Sequence, residues 1–290
     1  MRRLIALILV SLLLTACGIG RRSRTPSSRL TPVRLEWHAD TLAALPACVA
    51  EREGWLSHAG FRLERKAGGG TLGPPGAWPV AAVILQRSEW VLASSRAEPD
   101  FRWRDLKNLP LGEVALDAHQ RSLILGMLAE HGVTEVHWDS VPAQDAPRLL
   151  ADGHVPWALM RLVTAVRLRL KILAFVGAAQ GPVPAAVIQA PSEPPAFLAV
   201  LNRALAFVRD HGAGSIAETG KQCYPTTPPA LLGAAIRDAQ GLGMFSASTY
   251  LSPGLFRSGR ALAAAGGTAW PDYSSAAHMQ DALRALSIWP

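Results

Sequence analysis

The sequence predicts an α/β fold, with parallel sheets carrying helices on both faces and a helical C-terminal region. Three observations carry that reading. From Val33, short alternating or apolar segments of strand character take turns with segments whose apolar residues fall at helical spacing. A second series of the same kind starts at Gly112, and from Pro194 onward nearly every segment is helical. Alternating strands and helices argue for sheets covered on both sides, and no internal repeat of fixed period competes with them.

Taken in order, VRLEWH from Val33 alternates as a short strand. LAALPACVAEREGWLSHAG has a helical spacing and closes on Gly60, a natural helix stop. FRLERKA alternates again. GGGTLGPPGAWP reads as a breaker-rich loop, and VAAVIL and EWVLASS follow as apolar segments. FRWRDLKNLPLG looks like a short helix ending in a turn. In the second series GEVALDA, EVHWDSV and VPWALM read as strands, separated by the helices RSLILGMLAEHG and DAPRLLADG. LKILAFVG and PVPAAVIQA read as two more strands. The tail contributes PPAFLAVLNRALAFVRDHG, PPALLGAAIRDAQGLG, SPGLFRSGRALAAAGG and SSAAHMQDALRAL as helices.

The first residues carry a different signal. Arg2 and Arg3 precede an apolar run from Leu4 to Leu14 broken only by Ser11, with small residues after it. That is the pattern of a secretory signal, and it is too short to span a bilayer, which needs roughly 20 apolar residues. Leu14-Thr15-Ala16-Cys17 resembles the lipobox of bacterial lipoproteins. The resemblance implies a signal peptide over 1–16, cleaved before Cys17, and a lipid on the Cys17 thiol that attaches the chain to the bilayer. The other reading is an ordinary anchor whose cysteine is incidental. Residues 17–32, rich in Gly, Ser, Pro and Arg, read as a flexible tether.

Cleavage leaves 274 of the 290 residues, enough for one large domain or two lobes with real cores. The net charge of +7 belongs mostly to the leader and tether: from Val33 onward 23 basic residues face 22 acidic ones. A nucleic-acid partner, which wants a basic face on the folded domain, loses its main support. Cys48 and Cys223 both sit beside apolar residues and are expected as two separate buried thiols, although an oxidising compartment would allow them to pair. No CxxC, HExxH or Cys/His cluster suggests a metal site, and no cofactor is expected.

The order LEWHADTLAALPACVAEREGWLSHAGFRLERK, with Ala50, Gly54, Trp55, Gly60 and Phe61, resembles the opening of periplasmic solute-binding proteins of the nitrate/sulfonate/thiamine-precursor type. WRDLKNLPLGEVALDA, with Asp105, Leu106 and Lys107, and RLLADGHVPWALM, with Leu149, Leu150 and Gly153, are similar to later segments of that family. The resemblance covers most of residues 33–215. It implies a two-lobed periplasmic-binding-protein-like fold (type II), with lobe one over 33–110 and 215–290 and lobe two over 111–214. It also implies a monomer that passes a small-molecule solute to the membrane permease of an ABC importer from the periplasmic face of the cell envelope. Where family members carry a helix and another strand after the second strand, this chain has only Gly68-Gly69-Gly70 and a Pro/Gly loop, so lobe one is expected to be abridged. Pro156 stands where the family has an acidic residue, and Ala43 and Ala44 stand where thiamine-precursor binders have a histidine.

In such folds the pocket lies at the C-terminal ends of the strands, where helix N-termini offer free N–H groups. Two turns are therefore candidate ligand contacts. The first holds Trp37, His38, Asp40 and Thr41. The second holds His119, Gln120, Arg121 and Ser122, where Arg121 and Ser122 suit a carboxylate, sulfonate or phosphate. Trp157 is a further candidate wall. The plainer reading makes Trp37 and Trp157 core residues, His119 and Arg121 solvated turn residues, and Asp117 or Ser122 a helix cap. An enzyme is not expected, since no GxSxG or P-loop is present and the eight histidines are scattered without a telling neighbour. The remaining alternative is a non-enzymatic envelope lipoprotein scaffold that keeps the fold and binds another protein.

Overall fold

Val33 and Leu35 point into the core and their neighbours point out, so the first strand is fixed by simple alternation. In the computed structural model, which describes residues 30–66, 70–73, 79–190, 194–270 and 272–273, the first half of the chain runs as follows. It comprises β1 (Thr31–Glu36), a 3-10 turn (Leu42–Ala44), α1 (Leu45–Arg52), α2 (Trp55–His58), β2 (Phe61–Arg65), β3 (Gly70–Gly73), β4 (Val80–Leu85) and β5 (Trp90–Ser94). A 3-10 turn (Trp103–Leu106) leads to β6 (Pro110–Glu113), α3 (Ala118–Glu130), β7 (His137–Ser140), α4 (Ala146–Ala151), β8 (Trp157–Arg161), α5 (Leu162–Arg167), β9 (Lys171–Phe175) and α6 (Val176–Gln180). The remainder is β10 (Ala186–Gln189), α7 (Pro195–Asp210), α8 (Ala213–Gly220), a 3-10 turn (Lys221–Cys223), α9 (Pro229–Gly241) and α10 (Pro253–Ala265).

The strands form two five-stranded mixed sheets, ordered β2-β1-β3-β10-β4 and β7-β6-β8-β5-β9. In the first, β2 and β3 run parallel to β1, and β10 is antiparallel to both β3 and β4. In the second, β6 is parallel to β7 and β8, and β5 is antiparallel to β8 and β9. Strands β4, β5 and β8 are buried along their whole length, which is why they read as unbroken apolar runs rather than alternating ones.

Several details differ from the sequence reading. The single helix expected before Gly60 breaks into a turn and two helices, because Gly54 takes a left-handed φ of 73° between α1 and α2. The Gly-rich loop contains a strand, β3. Arg65 at the end of β2 and Gly70 at the start of β3 both pair with Leu35. β2 thus ends, and β3 begins, beside the C-terminal end of β1. The letters from Gly68 spell a dinucleotide-binding G-x-G-x-x-G, but its described part, Gly70–Gly73, is this strand and not the start of a helix. The strand expected over GEVALDA ends at Glu113, where Ala115, at φ 54°, turns the chain toward α3.

The sheets also divide the chain differently from the expected lobe boundaries. β5 belongs to the second sheet and β10 to the first, so the two connections between sheets are residues 86–89 and 176–185. These connections touch closely: a Cβ on Gly177 would lie 2.4 Å from the Ser88 carbonyl oxygen, and the Arg87 guanidinium donates to the Gly177 carbonyl (3.0 Å). Helix α10, expected with lobe one, packs on α3 beside the second sheet, where the Ser122 hydroxyl donates to the Ala263 carbonyl (3.3 Å). Thr31 and Pro32, expected in the tether, already pair in β1. The last expected helix, SSAAHMQDALRAL, and Cys17 with the signal peptide lie outside the described residues.

Cys48 and Cys223 form a disulfide, not two separate thiols, with Cα atoms 6.3 Å apart across 175 residues of sequence. Helix α1 packs against α8 and the turn that follows it, and this brings the two cysteines together. Gln222 adds a bond to the Cys48 carbonyl (3.1 Å). The bond fastens the C-terminal helical region onto the first helix. Closing so long a loop stabilises the fold by up to about 5 kcal/mol on the chain-entropy account. Reduction, or Cys48→Ser with Cys223→Ser, is expected to lower the melting temperature in calorimetry, and an unchanged melting temperature would contradict the disulfide.

Candidate functional site

After β1 the chain turns through Trp37–Thr41 into the 3-10 turn at Leu42. Thr41 is extended and caps that turn, its hydroxyl oxygen accepting from the Ala43 N–H (3.3 Å). The same hydroxyl donates to Glu89 Oε1 (2.6 Å), and the Leu42 N–H donates to Glu89 Oε2 (2.6 Å). The Tyr224 hydroxyl, one residue beyond the disulfide, holds the Thr41 carbonyl at 2.8 Å. Both carboxylate oxygens of Glu89 are thus bonded to the turn that follows the first strand.

Glu89 itself stands at the entrance to the second sheet. Its carbonyl accepts from the Leu162 N–H (2.9 Å), and Trp90 beside it pairs in register with Arg161 at the end of β8. The Arg161 guanidinium lies 5.0 Å over the Trp90 ring, with Nε 3.5 Å from Glu89 Oε1. Both charged side chains are almost wholly buried, at 8% and 9% exposure. A second bond runs the opposite way: Asp40, on the β1 turn, accepts from the Thr164 hydroxyl (2.9 Å) and from Arg167 (3.2 Å) on α5. The cleft between the sheets is therefore closed by two reciprocal carboxylate contacts. Among the described residues the cavity beside these contacts is about 10 Å³, room for a single water.

Of the residues expected to contact a ligand, His38, Thr41 and Gln120 line this cavity, together with Leu72, Gly73, Glu89, Trp90, Arg161, Ala185 and Ala186. Burial and the Arg161 charge push the His38 ring below its ordinary pKa, favouring the neutral imidazole. Gln120 donates to the Ala185 carbonyl (3.1 Å). The others are engaged elsewhere. Trp37 is buried with the Arg65 guanidinium 5.1 Å over its ring. His119 stacks on Trp270 with centroids 5.4 Å apart, and burial lowers its pKa. Arg121 pairs with Glu113 and lies over Trp138, 5.5 Å from its centroid. Ser122 bonds to α10, Asp117 caps α3, and the Trp157 indole donates to both oxygens of Glu98 (3.0 and 2.9 Å).

The sequence reading missed Glu89 and Arg161. Each carried a signal, because each is a charged residue at the end of an otherwise apolar strand, where only a partner permits burial.

The cavity sits at the C-terminal ends of β1, β3 and β8 and by the N-terminus of α3, where open α/β sheets receive ligands. Among the described residues no group of three or more His, Cys, Asp or Glu is placed to hold a metal ion, and no helix is long and apolar enough to cross a membrane. No family model matches the chain, and no curated protein matches its sequence. Solved structures do share its fold. The ligand-binding component of an ABC-type import system from Staphylococcus aureus, with zinc bound, matches with a TM-score of 0.65 at 10% identity, over 85% of this chain and 96% of that one. The periplasmic aliphatic sulphonate binding protein SsuA from Escherichia coli matches at 0.59 and 13% identity, over 81% and 91%. The desulfurization enzyme DSZB matches at 0.56 and 11% identity, over 88% and 99%. The chain has the two-lobed periplasmic-binding-protein-like fold, and that fold carries both binding proteins and an enzyme.

Burial pushes the Glu89 carboxyl up from its ordinary range and Asp40 adds to the rise. Arg161, the Thr41 hydroxyl and the Leu42 N–H pull it part of the way back. A carboxyl raised in the folded state binds its proton more tightly there than in the unfolded chain. Stability is therefore favoured at low pH and lost as pH rises through the folded pKa. Glu89→Gln removes this titration. Melting temperatures measured against pH should show the wild type losing stability relative to Glu89→Gln as pH climbs past the ordinary glutamate range, and a pH-independent difference would contradict it.

Proposed function

We propose that the chain is the extracytoplasmic solute-binding component of an ABC-type importer, taking a small organic solute that carries an anionic group. The observation that carries this reading is the cluster at the C-terminal strand ends, where a carboxylate already sits on the Thr41 hydroxyl and Leu42 N–H beside a buried Arg161. Donors arranged to hold one carboxylate suit a carboxylate or sulfonate on a solute. His38, Thr41, Gln120, Glu89, Trp90 and Arg161 are the proposed contacts. No covalent chemistry is assigned to them; the solute shifts an open–closed equilibrium.

The neighbours that bind solutes for import support the reading, as does the disulfide, which belongs to an oxidising compartment. In the same proposal residues 1–16 are removed, Cys17 carries the lipid, and the tether after it holds a monomeric receptor at the periplasmic face of the envelope near its permease.

A second reading, a non-enzymatic envelope scaffold with a degenerate cleft, is favoured by the small cavity, which admits no solute in the closed state. A melting screen of the purified protein against carboxylates, sulfonates and their neutral analogues separates the two. A true solute at 100 times its Kd stabilises the native state by about 2.7 kcal/mol. The receptor reading expects a shift for an anionic solute and none for its neutral analogue. A flat response across the set favours the scaffold.

A further inference from the structure

We infer that Glu89 is the resident occupant of the cleft's anion position, so that the chain closes without solute and an acidic solute enters only by displacing it. The part concerning solute rests on the receptor reading above; the part concerning closure rests on geometry alone.

The donors at this position are few. A threonine hydroxyl has one hydrogen and a backbone amide has one. At Thr41 and Leu42 both are already given to Glu89, at 2.6 Å each. A second acid group beside Glu89 would find neither free, and the cavity of about 10 Å³ has no space for one. Tyr224 cannot substitute, because its hydroxyl is committed to the Thr41 carbonyl.

The two partners also belong to different halves of the fold. Thr41 and Leu42 follow β1 of the first sheet. Glu89 is fixed to the second through its carbonyl, which accepts from the Leu162 N–H, and through Arg161. A hinge motion about residues 86–88 and 176–185 that carries Glu89 with the second sheet draws its carboxylate off its donors. An incoming carboxylate or sulfonate can then take the same two hydrogens while Glu89 keeps Arg161. Glu89 thereby sets specificity as well as closure. A neutral solute makes no claim on Thr41 and Leu42, whereas an anion must out-compete a tethered carboxylate.

Formate, the smallest carboxylate, tests this on the full-length protein by rescue. Glu89→Ala leaves a carboxylate-sized hole faced by the Thr41 hydroxyl, the Leu42 N–H and Arg161. Glu89→Gln keeps the volume filled but removes the charge that balances Arg161 and leaves one accepting oxygen where two stood. In solution scattering without solute, the wild type is expected to have the radius of gyration of the closed fold, and both variants a larger one. Millimolar formate is expected to raise the melting temperature of Glu89→Ala and return its radius to the wild-type value. It should leave the wild type and Glu89→Gln unchanged, and chloride at the same ionic strength should leave all three unchanged.

An open wild type, a Glu89→Gln as closed as the wild type, or a folded Glu89→Ala that ignores formate would each overturn the inference. If Glu89→Ala does not fold, the Glu89→Gln radius decides alone. No importer solute enters these measurements, so a blank solute screen leaves their outcome intact, and their failure leaves the screen's result standing.

Discussion

A buried carboxylate between two sheets must be met by donors, and much of this fold is arranged to meet one. Glu89 is almost wholly buried, and enclosing an ion is costly unless its oxygens are bonded and its charge is balanced. The Thr41 hydroxyl and Leu42 N–H supply the bonds and Arg161 the charge. Removing one partner of such a buried pair typically costs about 3–5 kcal/mol. Behind these contacts stands a chain of support. The disulfide fastens Cys223 to α1, Tyr224 follows it directly, and its hydroxyl holds the Thr41 carbonyl that orients the donating turn. The disulfide thus lies one residue from the hydroxyl that holds the donating turn.

The α/β class and most elements were legible in the sequence because periodicity is local. β1 alternates between core and solvent, and β4, β5 and β8 are enclosed and mostly apolar, so each announces itself within a few residues. What was not legible is long-range. Nothing near Cys48 points to a partner 175 residues away. β3 hides among glycines because its few residues pair at the level where β1 ends. The sheet to which β5 and β10 belong depends on how the chain crosses between lobes, which no window of sequence records. The short helices α5 and α6 are held by their neighbours rather than by a pattern of their own.

The candidate site was half legible for a related reason. The turn after β1 was found from its position at a strand end, and Thr41, His38 and Gln120 do meet in one cavity. The resemblance drew attention to Arg121, yet Glu113 lies within reach of it and Trp138 beneath it. Arg121 was expected to hold an anionic group of a ligand, whereas the guanidinium that lines the cavity is Arg161. The signal for it, a charge closing the apolar strand WALMR, is strong only when paired with the charge opening EWVLAS. Register joins them, since Trp90 and Arg161 stand opposite each other across β5 and β8.

Because one fold carries both import receptors and an enzyme among its neighbours, function here rests on the cleft rather than on the architecture. On the proposal made here, this cleft is closed on Glu89 in the absence of solute. Hydrogen exchange at the Leu42 amide of the solute-free wild type tests that most directly. The account predicts exchange as slow as that of the Val83 amide, which is bonded within the core to the Thr249 carbonyl. Exchange at the rate of an exposed amide, with Val83 still protected, would show that Glu89 does not occupy the position and would contradict it.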